Sequence, residues 1–221
     1  FTQRGSAGMV LRLIQQQIPT LEELNLPPIL ETIAMHKRGL VIFVGGTGCG
    51  KTTSLAAMLD HRNRHCREHI ITVEDPIEFF HRHQQCLVDQ REIGVDTESY
   101  EVALKNALRQ APNVILVGEM RDTETAQMGI QASLTGHLVF STLHTNDAPG
   151  AITRMTDMGV PGYLVASSVM AVLAQRLVRI VCSKCKQPFM PTEASLEAAG
   201  ITPEMVATAR FMKGKGCGHC S

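Results

Sequence analysis

The residues with the clearest chemistry are a glycine-rich stretch that ends in lysine and threonine. Its spacing is G-x-x-x-x-G-K-T, with Lys51 and Thr52 in the last two positions. Glycines let backbone N–H groups converge on an anion, and a helix that starts at the lysine adds the positive end of its dipole. We predict that the stretch binds nucleotide phosphates through Lys51 and Mg²⁺ through the Thr52 hydroxyl, the alternative being a glycine turn without a ligand. The predicted phosphate loop consists of Gly45, Gly46, Thr47, Gly48, Cys49, Gly50, Lys51, Thr52 and Thr53.

Acidic residues follow two other apolar runs of the chain. Glu119 comes shortly after residues 114–117, and Glu74 and Asp75 come directly after residues 70–73. A carboxylate at the end of a strand beside a phosphate loop can polarise an attacking water or hold the water shell of a metal. We predict that Glu119 activates water and that all three acids lie near Mg²⁺. A helix N-cap or a solvated loop acid is the alternative for each of them.

Small polar residues and two histidines flank another apolar run, residues 138–141. Ser141, Thr142 and His144 lie at its end, and His137 precedes it. The pattern predicts that both histidines reach the same edge of the sheet, where they could sense the γ-phosphate. A hydrogen-bonded structural histidine is the alternative.

Four of the seven cysteines form two C-x-x-C pairs separated by 31 residues. Four thiolates can surround a zinc ion tetrahedrally, and such a site is structural because it leaves no open position for catalysis. A redox disulfide or two unrelated pairs are the alternatives. The remaining cysteines, Cys49, Cys66 and Cys86, show no pairing pattern and are interpreted as reduced thiols. The predicted zinc ligands are Cys182, Cys185, Cys217 and Cys220.

An α/β doubly wound, mostly parallel sheet would bring these groups together, because carboxyl ends of parallel strands meet at one edge. Short apolar runs alternate with helical patterns along the middle of the chain. The predicted strands are residues 9–14, 40–44, 70–73, 114–117 and 138–141. One predicted helix begins at Pro27 and Pro28 and ends near residue 39. The other predicted helices cover residues 51–60, 100–110 and 123–134, a segment that begins at an Asp147 cap, and residues 164–178.

Three regions follow from this pattern. Residues 1–38 form a lead-in from an N-terminal domain or linker, residues 39–181 form the core with a helical extension, and residues 182–221 form the cysteine element. The chain begins without Met and stops one residue after a cysteine pair, so we expect a fragment that is truncated at its C-terminus.

Composition excludes several classes of protein. The 221 residues are 44% apolar, with 21 basic and 21 acidic side chains, which is far from the composition of disordered chains. Zero net charge and 4% aromatic content argue against direct nucleic-acid binding as the main role. The longest uncharged run, residues 158–175, contains glycine, proline and serine and is interpreted as a buried helix, so no transmembrane segment is expected.

Four motifs in a fixed order make the chain similar to a known family. Residues 45–52, 71–78, 115–122 and 136–144 resemble the Walker A, aspartate, Walker B and histidine boxes of the type II secretion and type IV pilus ATPases. The resemblance covers nearly the whole chain. It implies a RecA-like P-loop NTPase core that hydrolyses ATP with Mg²⁺ as a cytoplasmic homo-hexamer, working with an inner-membrane platform protein and the pilus or secretion machinery of a bacterium.

The resemblance also implies roles for individual residues. Glu119 would be the catalytic glutamate, Glu74 would assist at the metal and water, and His137 and His144 would form the histidine box. Arginines near the N-terminal domain approach the nucleotide of a neighbouring subunit in that family. Arg4 and Arg12 are the candidates here, and a surface arginine is the alternative for each.

Two branches of the family share features with the chain. Residues 86–97 and the pair Glu119 and Met120 look like the pilus-retraction branch, whereas residues 145–149 and the four cysteines look like the assembly and export branch. We favour assembly or export, because a complete metal site is harder to acquire by drift than a loop sequence. A third alternative is a zinc-ribbon nucleic-acid-binding module, since residues 176–221 carry seven basic and three acidic side chains.

Overall fold

The computed structural model describes residues 2–9 and 17–220, and these divide into two compact units. The first unit extends to Arg176 and the second begins at Leu177. The region boundaries expected from the sequence stay predictions. No helix in the described part of the chain is long and apolar enough to cross a membrane.

The first unit alternates strands and helices. In chain order it contains β1 (Thr2–Gln3), β2 (Ser6–Ala7), α1 (Ile29–Ala34), β3 (Gly39–Val44), α2 (Lys51–His65), β4 (His69–Glu74), β5 (Leu87–Glu92), α3 (Tyr100–Ala107), a 3-10 turn (Leu108–Gln110), β6 (Val114–Val117), α4 (Thr123–Leu134), β7 (Leu138–Leu143), α5 (Ala148–Asp157), α6 (Gly162–Ser168) and β8 (Val169–Ala174).

Six of these strands form one sheet in the order β5-β4-β6-β7-β3-β8, and every neighbouring pair is parallel. The predicted mostly parallel α/β sheet is therefore confirmed. All six carboxyl ends lie at one edge, so the segments that follow β3, β4, β6 and β7 meet there.

Alternation along the inner strand β3 shows that both faces of the sheet are covered. Leu40, Ile42 and Val44 pack into one core with residues of α3, α4, α5 and α6. Val41 and Phe43 point to the other core, which includes residues of α1 and α2. A strand with both faces buried reads as a continuous apolar run, as residues 40–44 do.

Three helices of the first unit begin at a side-chain cap that the sequence provides. Ser99 accepts a hydrogen bond from the backbone N–H of Val102, and Asp122 accepts one from Thr125, 2.8 Å away. Asp147 accepts one from Gly150 at 2.7 Å, so the predicted N-cap of α5 is confirmed.

The predicted helix over residues 164–178 is wrong. The helix α6 ends at Ser168, and residues 169–174 form β8, which pairs with β3. The interpretation of residues 158–175 as one buried helix fails for the same reason. A short apolar run does not distinguish helix from strand, and β3 would otherwise expose unpaired N–H and C=O groups along its edge.

The other differences lie at sheet edges and near the start of the chain. The edge strand β5 was not predicted, because its sequence contains four polar or charged residues. The helix after Pro27 and Pro28 ends at Ala34 rather than near residue 39. The strand predicted for residues 9–14 lies almost entirely outside the described residues.

The second unit contains β9 (Lys186–Pro188), α7 (Glu193–Ala198), α8 (Pro203–Thr208) and β10 (Met212–Gly214). The strands β9 and β10 pair antiparallel, with Lys186 opposite Gly214. One strand follows the first cysteine pair and the other precedes the second pair, so this pairing brings the two C-x-x-C segments together.

Candidate nucleotide site and cysteine cluster

A cleft of about 560 Å³ lies at the carboxyl edge of the sheet. It is lined by the loop between β3 and α2 and by residues that follow β4, β6 and β7. The structure thereby brings together most of the predicted site residues, and it adds Tyr100 and Arg121, which the sequence did not single out. The predicted residues that line the cleft are Thr47, Gly48, Cys49, Gly50, Lys51, Thr52, Thr53, Glu74, Asp75, Glu119 and His144.

Left-handed glycines shape the predicted phosphate loop. Gly48 has φ of 75° and Gly50 has φ of 89°, a conformation that side chains disfavour. Gly50 occupies the N-cap of α2 and brings no side chain to it. The first N–H groups of α2 are thus not capped by that residue, and the positive end of the helix dipole lies at the cleft.

Gly45 is the position where the loop is most tightly enclosed. Its φ is 141°, and a Cβ atom there would lie 2.4 Å from the carbonyl oxygen of Gln175 and 2.7 Å from Cys49 Sγ. Gln175 follows β8, its N–H donates to the Val44 carbonyl, and Ser54 Oγ donates to its Oε1 at 3.0 Å. Gln175 therefore braces the phosphate loop, a role that was missed because β8 was predicted as helix.

The Lys51 side chain is buried and folded across the base of the loop. Its Nζ donates to the carbonyl oxygens of Gly45 and Gly46, at 2.8 and 3.1 Å. These bonds fix the ammonium group within the loop, where a phosphate held by the backbone N–H groups would find a positive charge.

Glu119 is held between two basic side chains. Arg121 Nε donates to its Oε2 at 2.6 Å, and His144 Nε2 lies 2.9 Å from its Oε1. Neighbouring backbone is tied to β7, since Thr142 Oγ1 donates to the Gly118 carbonyl and the N–H of Met120 donates to the Thr142 carbonyl. The Glu119 carboxylate is thus fixed in position and still reaches the cleft.

Glu74 is buried at the end of β4 and has polar partners. Thr72 Oγ1 and Gln90 Nε2 donate to its Oε1 at 2.6 and 3.2 Å. Burial raises the pKa of this carboxyl above its usual value, and the two hydrogen bonds partly oppose that shift. The next residue, Asp75, is exposed and lines the cleft, so a buried and an exposed carboxylate lie side by side.

The Tyr100 hydroxyl lies above Gly118, close enough that a Cβ on that glycine would come within 3.0 Å of it. Burial, followed by the charge of Asp75, raises its pKa to about 12. The hydroxyl therefore stays protonated at neutral pH and can act as a hydrogen-bond donor in the cleft.

His137 does not join the site. It precedes β7, whereas the cleft lies where β7 ends, so the six residues of the strand separate it from His144 by about 20 Å. Its Nδ1 lies 2.9 Å from the Ala132 carbonyl oxygen, at the end of α4. The expectation that both histidines reach one edge is wrong, because the two ends of a strand lie at opposite edges of a parallel sheet.

The candidate arginines for a neighbouring site gain no support from contacts. Arg4 is exposed in the turn between β1 and β2, with φ of 50°. Arg12 lies outside the described residues. Both assignments stay predictions.

The four predicted metal ligands form a cluster in the second unit. Their Sγ atoms all lie within 4.8 Å of one another, with Cys220 Sγ 3.6 Å from Cys185 Sγ and 3.7 Å from Cys217 Sγ. Four thiolates at about 2.3 Å from zinc would be about 3.8 Å apart. Each pair forms a turn, in which the N–H of Lys186 donates to the Cys182 carbonyl and that of Cys220 to Cys217. No disulfide is present in the described part of the chain.

The fold and the loop define a class of protein. A parallel sheet in which a central strand leads through a glycine loop into a helix is the hallmark of P-loop α/β proteins. Within that class, the family described as "Type II/IV secretion system protein" matches residues 4–221. The chain therefore belongs to the type II/IV secretion system protein family, as the four motifs indicated.

The similar proteins include both type II secretion and pilus retraction proteins. The chain is 53% identical over 184 residues to the type IV pilus ATPase PilU of Pseudomonas aeruginosa, covering 80% of the chain and 48% of PilU. It is 42% identical over 219 residues to type II secretion system protein E of the same organism, covering 96% of the chain and 42% of that protein. The crystal structure of the pilus retraction motor PilT with bound ADP has a TM-score of 0.77 and 43% identity, over 80% of the chain and 53% of PilT. The chain thus spans about half the length of these relatives.

Proposed function

We propose that the chain is the ATP-hydrolysing part of a hexameric motor that powers type IV pilus assembly or type II protein secretion. The observation that carries the proposal is the cleft in which the Lys51 loop, the buried Glu74 and the clamped Glu119 meet. Membership of a family whose relatives are named ATPases supports it. In that role the protein would be a peripheral cytoplasmic partner of an inner-membrane platform protein.

Each group in the cleft has a role that fits its environment. The loop N–H groups and Lys51 would hold the phosphates, and Glu119 would orient and deprotonate the attacking water. Thr52 would be a direct Mg²⁺ ligand, while Glu74 and Asp75 would hold its water shell. When bound, the metal supplies positive charge that offsets the charge developing on the transferred phosphoryl group. His144, 2.9 Å from Glu119, is placed to respond when the γ-phosphate enters or leaves.

Lys51→Ala tests the nucleotide site. We expect the affinity for Mg-ATP to fall by at least about thirtyfold, because the change removes a buried charge that pairs with phosphate. Titration with a fluorescent ATP analogue measures the dissociation constant. Lys105→Ala, an exposed lysine on α3, is the matched control and should bind as the unaltered protein does. Equal affinity of the Lys51 and Lys105 variants would contradict the phosphate-loop assignment.

We also propose that the cysteine cluster binds one structural zinc ion. Four sulfur ligands and sulfur separations close to those of a tetrahedral site support this assignment. The two turns and the β9/β10 pairing would be held together by the metal, since the surrounding helices have no buried residues of their own.

Elemental analysis of the purified protein should give one zinc per chain, and Cys217→Ser should lose it. Cys66→Ser is the control, because that cysteine lies outside the cluster and should keep the metal. Folded protein without zinc, or equal zinc in both variants, would remove the assignment.

The zinc result bears on the branch as well. The match to type II secretion system protein E covers 96% of the chain, whereas the matches to PilU and PilT cover 80%. A cysteine element is typical of assembly and export ATPases, so zinc favours that branch. The alternative is a retraction motor, which the likeness to PilT supports and which an absent zinc would move to first place.

A further inference from the structure

Glu119 is the only group of the proposed catalytic set, within the described residues, whose two carboxylate oxygens are each paired with a different basic side chain. Oε2 accepts from Arg121 Nε at 2.6 Å, and Oε1 lies 2.9 Å from His144 Nε2. The partners come from different segments, one before α4 and the other after β7. A carboxylate fixed at both oxygens cannot rotate about its terminal bond without breaking one contact.

We infer that Arg121 is a positioning residue, which orients the Glu119 carboxylate toward the water and does not itself contact the phosphates. The inference rests on the proposed function. A carboxylate that acts on water must be aligned to within a fraction of an ångström, and misplacement by about 1 Å can cost about a hundredfold in rate. His144 alone would leave Oε2 without a tie to the protein.

The exposure of the two side chains supports a role in which Arg121 orients Glu119 and does not pack in the core. The Glu119 side chain is 13% exposed, whereas that of Arg121 is 63% exposed. Arg121 therefore approaches from the solvent side and contributes little to the core. The hydrogen bond and charge of Glu119 raise the pKa of the Arg121 guanidinium, so this side chain stays positively charged. A mostly exposed arginine beside a nearly buried carboxylate can be altered without removing packing.

Backbone ties complete the arrangement. Thr142 holds the carbonyl of Gly118 and the N–H of Met120, so the main chain on either side of Glu119 is fixed to β7. The next residue after Arg121 is Asp122, the N-cap of α4. Main-chain position is thus set by β7 and α4, and the remaining freedom of Glu119 lies in its side-chain torsions, which Arg121 restrains.

Arg121→Ala should lower the single-turnover rate of ATP hydrolysis by about ten- to a hundredfold. The dissociation constant for Mg-ATP and the thermal unfolding midpoint should change little. Arg121→Lys should recover only part of the rate, because an ammonium group lacks the planar N–H arrangement of the guanidinium. Arg109→Ala, an exposed arginine in the 3-10 turn, is the matched control and should keep the full rate.

A double-mutant cycle separates positioning from direct contact with phosphate. In a Glu119→Gln background, adding Arg121→Ala should cause no further loss, because the group that Arg121 orients has already been disabled. A further loss of tenfold or more in that background, or a parallel loss of Mg-ATP affinity, would mean that Arg121 acts on the nucleotide and would overturn the inference.

The same measurements distinguish this inference from the proposed function. If Glu119→Gln abolishes turnover and Arg121→Ala retains the full rate, the positioning role fails and the ATPase proposal stands. If Glu119→Gln turns over ATP as the unaltered protein does, the positioning role fails together with the assignment of Glu119, and the ATPase proposal stands. The ATPase proposal itself fails if the unaltered protein does not hydrolyse ATP.

Discussion

Replacing Glu119 by glutamine is expected to slow ATP turnover by about a hundred- to ten-thousandfold, the range that a positioned general base contributes. Glutamine has nearly the same shape but cannot accept a proton from water at neutral pH. It can still contact Arg121 or His144, so the cleft should keep its form. Mg-ATP affinity should therefore stay within about threefold of that of the unaltered protein.

Single-turnover hydrolysis with excess protein measures the chemical step, and titration with a fluorescent ATP analogue measures affinity. Glu124→Gln is the matched control, because Glu124 is an exposed acid in the first turn of α4 and does not line the cleft. Unchanged turnover in Glu119→Gln would show that another group activates water. Loss of turnover together with loss of affinity would mean that Glu119 serves binding rather than chemistry.

The central part of the site could be predicted from the sequence because its signals are local. Residues 40–44 are all apolar and three of them are β-branched, and the glycine spacing that follows them requires a loop and then a helix. In a parallel sheet, residues that follow different strands meet at one edge whatever the order of those strands. That rule places Lys51, Glu74 and Glu119 at one edge of the sheet, and the strand order then brings them to one cleft.

Edge strands could not be predicted in the same way. The strand β5 is largely polar, since one side of an edge strand faces solvent, and its pattern does not differ from that of a loop. The strand β8 has a sequence that suits helix and strand equally, and its pairing with β3 decides the outcome. Gln175 went unnoticed as a consequence, because its contact with the phosphate loop exists only if β8 joins the sheet.

Side-chain contacts across the site could not be predicted from the sequence for a different reason. Arg121 pairs with Glu119 two residues away in an irregular segment, where no helical or strand period applies. The misplacement of His137 was avoidable, since a residue before a strand and a residue after it lie at opposite edges of the sheet. The direction of a strand therefore decides at which edge of the sheet each flanking residue lies.

Gly45→Ala is expected to weaken Mg-ATP binding by more than about a hundredfold. A Cβ atom at this position would lie 2.4 Å from the Gln175 carbonyl oxygen, which is backbone and cannot rotate away, and 2.7 Å from Cys49 Sγ. The φ of 141° adds strain of order 1–3 kcal/mol for any residue with a side chain. Overpacking adds about 1–3 kcal/mol, so the loop must move and its N–H groups lose their common direction. Titration with a fluorescent ATP analogue measures the loss.

Gly162→Ala separates this effect from a general cost of adding a methyl group. Gly162 is the first residue of α6, and a Cβ there meets nothing within 4 Å, so both ATP affinity and the thermal unfolding midpoint should be unchanged. If Gly45→Ala binds ATP as tightly as Gly162→Ala does, the loop does not depend on its contact with Gln175. If affinity falls while the unfolding midpoint drops by only a few degrees, the methyl group has distorted the phosphate loop without unfolding the sheet. ATP binding then requires the close approach of the Gly45 backbone to Gln175 and Cys49, which only a residue without a side chain allows.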